Sequence, residues 1–270
     1  MKPLSSPTAV VAGAYAAVAM TACGSTATPS SSGTASSATA AISSASLTGT
    51  VNVFAAASLQ ETFTTLKKQF EAAHPGVTVT PNFGASSALA QQINQGAPAD
   101  VFASASQSNM DQVAQSGAAS SPKPFARNVL EIAVPPANPA GVASVNDLAR
   151  AGLKVALCQS QVPCGSVAAK VFSNAKITVT PVSQDADVKA VLTKVQLGEV
   201  DAGVVYVTDV KAAGDKVKGV EIPSEVNAST SYPIAALTKA PNPDAAAAFV
   251  AYVLSSEGQA VLKAGGFAAP

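Results

Sequence analysis

Two stretches of the chain place a serine where an apolar run gives way to a helical pattern. One is Val53-Phe54-Ala55-Ala56-Ala57-Ser58-Leu59, the other Phe83-Gly84-Ala85-Ser86-Ser87-Ala88-Leu89-Ala90. Ser58 opens Ser-Leu-Gln-Glu, with Glu61 three residues on, the pattern of a capping box. Ser86 precedes a periodic segment containing Leu89, Ala90 and Ile93. The start of a helix carries N–H groups without intrahelical acceptors, and its aligned peptide dipoles make that end positive. Two such ends bearing hydroxyls, with no cation beside them in sequence, suit a small oxyanion. The alternative is that both serines do no more than cap their helices.

A serine at a strand-to-helix turn can also be a nucleophile. The chain, however, has no Gly-x-Ser-x-Gly elbow. Its single histidine, His74, sits in an Ala-His-Pro-Gly turn, with nothing to connect it to Ser58 or Ser86. A serine hydrolase is therefore the weaker reading, as is a surface lipoprotein without a small ligand.

Composition narrows the choice further. Lys+Arg and Asp+Glu both number 16, so no charge imbalance recruits nucleic acid, and no basic stripe with interleaved aromatics appears. With only 12% of residues charged, an anion would be held mostly by neutral dipoles. At the N-terminus, Lys2 and the short apolar stretch from Ala9 to Ala22 read as an export signal, too short to span a membrane. It ends at Met20-Thr21-Ala22-Cys23-Gly24-Ser25, which resembles a bacterial lipobox, with Met20 in place of the usual Leu. Residues 1–22 are thus expected to be a lipoprotein signal peptide and Cys23 the lipidated first residue, anchoring the chain to the outer face of the cell membrane. Residues 23–47 are almost entirely Ser, Ala, Thr and Gly and are expected to be a disordered linker. In an exported chain, Cys158 and Cys164, six apart, are expected to form a disulfide rather than a metal site, because no histidine accompanies them.

The two serine motifs continue into Gly96-Ala97-Pro98-Ala99-Asp100-Val101-Phe102-Ala103-Ser104-Ala105, then Val162-Pro163-Cys164-Gly165, Asp187-Val188 and Ala202-Gly203-Val204-Val205-Tyr206. In that order and at those intervals the set resembles the periplasmic molybdate-binding proteins of ABC importers, over nearly everything after residue 50. The resemblance implies a two-lobed type II periplasmic binding protein, each lobe a mostly parallel sheet flanked by helices, with the ligand in the interlobe cleft. It implies capture of molybdate or tungstate and delivery to an ABC permease and its ATPase, with no cofactor and no catalysis by a chain acting as a monomer. Molybdenum or tungsten would enter only as the oxyanion. The matched ligands are the hydroxyls and N–H groups of Ser58 and Ser86 (Ser87 as the fallback), the backbone N–H groups of Cys164 and Val188, and the Tyr206 phenol. Molybdate and tungstate are fully deprotonated near neutral pH, so donors alone suffice, whereas phosphate keeps a proton and needs an acceptor. Sulfate, also a tetrahedral dianion, is the runner-up ligand.

The elements that must position these residues alternate. Strands are expected at 51–55, 77–83, 101–104, 128–134, 154–157, 179–182 and 201–207, with a further apolar run near 232–237. Helices are expected at 59–73, 87–95, 108–114, 145–151, 166–174, 187–197, 243–254 and 256–264. Such β-α alternation predicts parallel pairing with helices on both faces of the sheet. With the crossings that the resemblance implies near Arg127–Leu130 and Ser231–Ile234, the first lobe comprises residues 48–128 and 233–270, and the second 129–232.

Overall fold

The computed structural model describes residues 46–270. The expected signal peptide, Cys23 and the linker up to residue 45 lie outside the described residues.

Strand β1 (Gly49–Ala56) carries the first apolar run, with Val51, Val53 and Ala55 fully buried. It pairs in parallel with β2 (Val77–Gly84) on one side and β3 (Val101–Ala103) on the other. Between them α1 (Gln60–Ala73) buries Phe63, Leu66 and Phe70, the three- and four-residue spacing of a single helical face. Phe63 and Phe70 both meet Phe249 of α7 (Pro243–Leu254) edge-on, with centroids 6.1 and 5.2 Å apart. Helices α2 (Ser86–Asn94) and α3 (Gln107–Gln115) cover the other face of this region.

The next strand, β4 (Lys123–Val134), changes neighbours along its length. Up to Val129 it runs antiparallel to β9 (Ser229–Ala236); from Leu130 onward it runs antiparallel to β7 (Ala202–Tyr206), and from Glu131 to β8 (Lys218–Glu221) as well. Beyond β7 lie β5 (Val155–Cys158) and β6 (Ser183–Asp185), joined in parallel. Helices α4 (Pro163–Ala175), α5 (Val188–Gln196) and α6 (Val207–Ala213) pack on this second region, and α8 (Ser256–Gly265) closes the chain against α1. The result is a single curled sheet in the order β2-β1-β3-β9-β4-β7-β5-β6, with β8 beside β4. Its hydrophobic interior divides into one core around Phe63, Phe70 and Phe249 and another around Ile132, Val155 and Val191, with a smaller cluster around Phe102 and Met110.

Parallel pairing holds in the outer parts of the sheet, while the long strands β4 and β9 run antiparallel to their neighbours, a distinction periodicity does not encode. The strand expected at 179–182 is not formed. Pro181 has no N–H to give to a ladder, and the edge strand begins at Ser183, opposite Ala156. The helix expected over 145–151 is a five-residue 3-10 turn, Val145–Ala149. Strand β8 and helix α6 were not expected from the sequence.

Candidate functional site

Ser58, Ser86, Cys164, Val188 and Tyr206 line one small cavity, together with Ala57, Ala85, Ala105, Val162, Pro163 and Asp187. Ser58 and Tyr206, 148 positions apart in sequence, meet there because β1, β2 and β7 end at it and α2, α4 and α5 begin at it. Its volume is about 10 Å³, close to the least that holds one water molecule. Ser87 is not among the lining residues.

Neither serine caps a helix, which corrects the capping-box expectation. Ser58 lies inside a 3-10 turn (Ala57–Leu59), Leu59 precedes α1 without any side-chain cap, and Glu61 reaches away to Lys189. Ser86 is the first residue of α2, one earlier than expected, and the flanking Ala85 offers no side-chain acceptor. Both hydroxyls are engaged elsewhere. The Ser86 Oγ accepts the Ala105 N–H at 2.9 Å, and the Ser58 Oγ lies 2.9 Å from the Tyr232 hydroxyl. A hydroxyl oxygen that already accepts a bond keeps its own proton for a further acceptor.

Helix α4 starts three residues before the expected position, with Pro163 in the first turn, where its missing N–H costs nothing. Cys164 therefore belongs to the helix rather than to the preceding loop. Among the described residues no acceptor takes its N–H, and the first α4 amide bonded back is that of Ser166, to Val162 O. The Cys158–Cys164 disulfide is formed, with Cα atoms 5.8 Å apart, and ties the end of β5 to this first turn. Gly165 lets the turn lie close to β5: a Cβ there would collide with the carbonyl oxygens of Cys158 and Gln159. On α5 the Asp187 carboxylate accepts the N–H groups of Lys189 and Ala190 at 2.8 and 3.0 Å. The Val188 N–H is left without an acceptor among the described residues.

Tyr206 ends β7 and is 1% exposed, and its hydroxyl has no hydrogen-bond partner among the described residues. Burial, with Tyr232 and Asp209 nearby, pushes this phenol well above its ordinary 10.0, so it stays a donor. Its backbone N–H donates to the buried Asp209 carboxylate at 3.1 Å. Burial raises the Asp209 pKa, and the Lys189 ammonium, 2.9 Å away, opposes that rise. Burial alone would lower Lys189, but Asp209 and Glu61 outweigh it and hold the ammonium above its usual value. Lys189, which follows Val188, is thus occupied by two carboxylates. What faces the cavity is a set of donors: two serine hydroxyls, a phenol, two free amides, and the positive ends of α2, α4 and α5.

Residues 51–268 match the family described as bacterial extracellular solute-binding protein. The chain belongs to that family. Its relatives include the molybdate-binding protein ModA of Mycobacterium bovis, 44% identical over 222 residues that cover 82% of this solute-binding protein and 85% of ModA. The periplasmic molybdate-binding protein of Azotobacter vinelandii superposes with a TM-score of 0.73 at 20% identity, over 82% of this chain and 99% of that one. The sulfate-binding protein SubI of Mycobacterium tuberculosis gives 0.71 at 19% identity, over 81% of this chain and 86% of SubI. The fold is that of the type II periplasmic binding proteins, and relatives on that fold bind different anions.

Several residues around the cavity of this solute-binding protein were not expected from its sequence. Tyr232 lies in an apolar run of the sequence, yet it is fully buried and bonds Ser58 from 174 residues away. Asn128, Lys189 and Asp209 are further polar groups around the cavity. For Asp209 a local signal existed, since it stands three residues after Tyr206 and accepts that residue's N–H, the spacing of a helix-start carboxylate. Tyr232 and Asn128 carry no comparable local signal.

Proposed function

We propose that this protein is the extracytoplasmic substrate-binding component of a molybdate and tungstate ABC importer, delivering the oxyanion to a membrane permease driven by its ATPase. The observation that carries this is the convergence of Ser58, Ser86, Cys164, Val188 and Tyr206 on one small cavity that offers donors and whose lining, among the described residues, includes no lysine, arginine or histidine. Hydrogen bonds to a charged group contribute about 1.5–3 kcal/mol each, so five suffice for tight binding after ordering costs. The 44% identity to a molybdate-binding protein supports this ligand over others of the fold.

The ligand carries the metal, as molybdate or tungstate, and no cofactor takes part. The protein acts as a monomer, lipidated at Cys23 and tethered by the linker to the outer face of the membrane. It has no catalytic role: the sole histidine, His74, packs on Phe70 at the end of α1 and is not among the residues that line the cavity. Lobe 1 consists of residues 48–128 and 233–270 and lobe 2 of residues 129–232. Ser58 and Ser86 then come from one lobe and Cys164, Val188 and Tyr206 from the other. The ligand enters when the lobes part and is enclosed as they close.

Calorimetric titration with molybdate, tungstate, sulfate and phosphate tests this reading. One-to-one binding of the first two is expected, with phosphate far weaker. Phosphate bound as tightly as molybdate overturns it, and sulfate bound more tightly than molybdate replaces the ligand.

A further inference from the structure

The Ser58 hydroxyl is the near end of a buried polar chain that begins on β4. The Val129 N–H donates to Asn128 Oδ1 at 3.0 Å, which fixes the orientation of the Asn128 amide. Its Nδ2 must then be the group that faces Thr208 Oγ1, at 2.8 Å, and the Tyr232 hydroxyl oxygen, at 3.5 Å. With an N–H directed at its oxygen, Tyr232 has its own proton to give, and Ser58 Oγ is 2.9 Å away. A phenol is also a better donor than an aliphatic alcohol. With Tyr232 as the donor, Ser58 receives this hydrogen bond and its own proton is left to point into the cavity. Asn128, Tyr232 and Ser58 are 3%, 0% and 4% exposed, so bulk water does not compete for these bonds.

Two residues away on β9, Thr230 does similar work for the other serine. Its hydroxyl donates to the Ala105 carbonyl at 2.7 Å, and the Ala105 N–H donates to Ser86 Oγ. One strand therefore sets the surroundings of both serine hydroxyls.

We propose that Tyr232 is a positioning residue that turns the Ser58 proton toward the cavity, and that it thereby helps the site refuse oxyanions that keep a proton. The proposal rests on the oxyanion reading of the cavity. A serine free to rotate can turn either its proton or its lone pairs toward a ligand; one held by Tyr232 keeps its proton toward the cavity, and the proton of hydrogen phosphate is less readily matched there.

The test compares wild type, Tyr232→Phe, Ser58→Ala and the double variant in calorimetric titrations with molybdate and with inorganic phosphate, alongside thermal melts. Tyr232→Phe is expected to weaken molybdate binding about three- to tenfold and to lower the molybdate-to-phosphate affinity ratio by more than it lowers molybdate affinity. In the Ser58→Ala background the same change is expected to have no further effect, because the hydroxyl it orients is gone. An unchanged affinity ratio, or a loss that simply adds to that of Ser58→Ala, overturns the proposal. If Tyr232→Phe does not fold, Asn128→Ser, which shortens the donor facing Tyr232, is expected to lower the ratio in the same direction, and no change in it overturns the proposal. A wild-type protein that gives no heat with molybdate overturns the reading of the cavity itself. Failure of that reading is thereby separated from failure of the role of Tyr232.

Discussion

Lys189 on α5 reaches Glu61 on α1, Nζ to Oε2 at 2.8 Å, while holding the buried Asp209 at 2.9 Å on its other side. Helix α1 belongs to the core around Phe63 and Phe249, and α5 to the core around Ile132 and Val155. The ion pair therefore joins the two main cores beside the cavity, one residue after Val188.

The two halves of this link should behave differently. Glu61 is half exposed, and such a pair contributes about 0.2–1 kcal/mol. Glu61→Gln should leave the melting temperature nearly unchanged and weaken molybdate binding by no more than about fivefold, through a smaller closed population. Lys189→Met strands a buried carboxylate, at a cost of about 3–5 kcal/mol. Denaturant midpoints should show that loss, and Asp209→Asn in the same background should recover much of it.

Because neither serine is a helix cap, their replacement should not carry a capping penalty. Ser58→Ala should weaken molybdate binding by about tenfold to a hundredfold, the loss of one bond to a charged group. Ser86→Ala should weaken it similarly and also lower stability by about 1–3 kcal/mol, since the Ala105 N–H is fixed in the backbone and loses its acceptor. Calorimetry and melts on both variants check this; unchanged affinity in both would place the site elsewhere.

The disulfide should matter to stability and, more weakly, to binding. On the chain-entropy account a loop this short contributes about 2 kcal/mol. Replacing Cys158 and Cys164 together by Ala should lower the melting temperature, loosen the first turn of α4 and weaken molybdate binding a few-fold. Non-reducing mass spectrometry of the exported protein should find the bond, and two free thiols would refute it.

Binding should tolerate alkaline pH. Tyr206 is held well above 10.0, mainly by burial, so its donor proton is present throughout the neutral and mildly alkaline range. Affinity measured from pH 7 to 10 should be flat with respect to this group, with any loss from its ionisation beginning only above 10. The Lys189 link should follow the same direction. Its folded pKa is raised, so its stabilisation is complete below the usual 10.5 and is lost as pH climbs through the higher folded value. A fall in affinity with a midpoint near 8 would contradict both assignments.

Ser58 and Ser86 were legible from local pattern, since each follows an apolar strand and opens a helical segment. Cys164, Val188 and Tyr206 were legible only through the resemblance to molybdate-binding proteins, because on pattern alone Val188 and Tyr206 read as packed core residues. Their register was less legible: the periodicity of α4 pointed to Ser166, while the Pro163 that starts the helix reads equally well as a loop residue. The supporting layer was not legible at all. Tyr232 and Asn128 look like ordinary strand residues, and their meaning comes from antiparallel pairing of β4 with β9, a contact between segments about a hundred residues apart.

A donor cage without a free cation has an electrical consequence. The full-length chain has a formal net charge of zero at pH 7. Dipoles can stabilise an anion, but they cannot neutralise it, and no proton or counter-ion need accompany it into the cavity. Loading therefore adds the entire charge of the anion to the protein. Filled molecules should run ahead of empty ones toward the anode in a native gel, and a membrane partner could sense occupancy through the altered field as well as through shape.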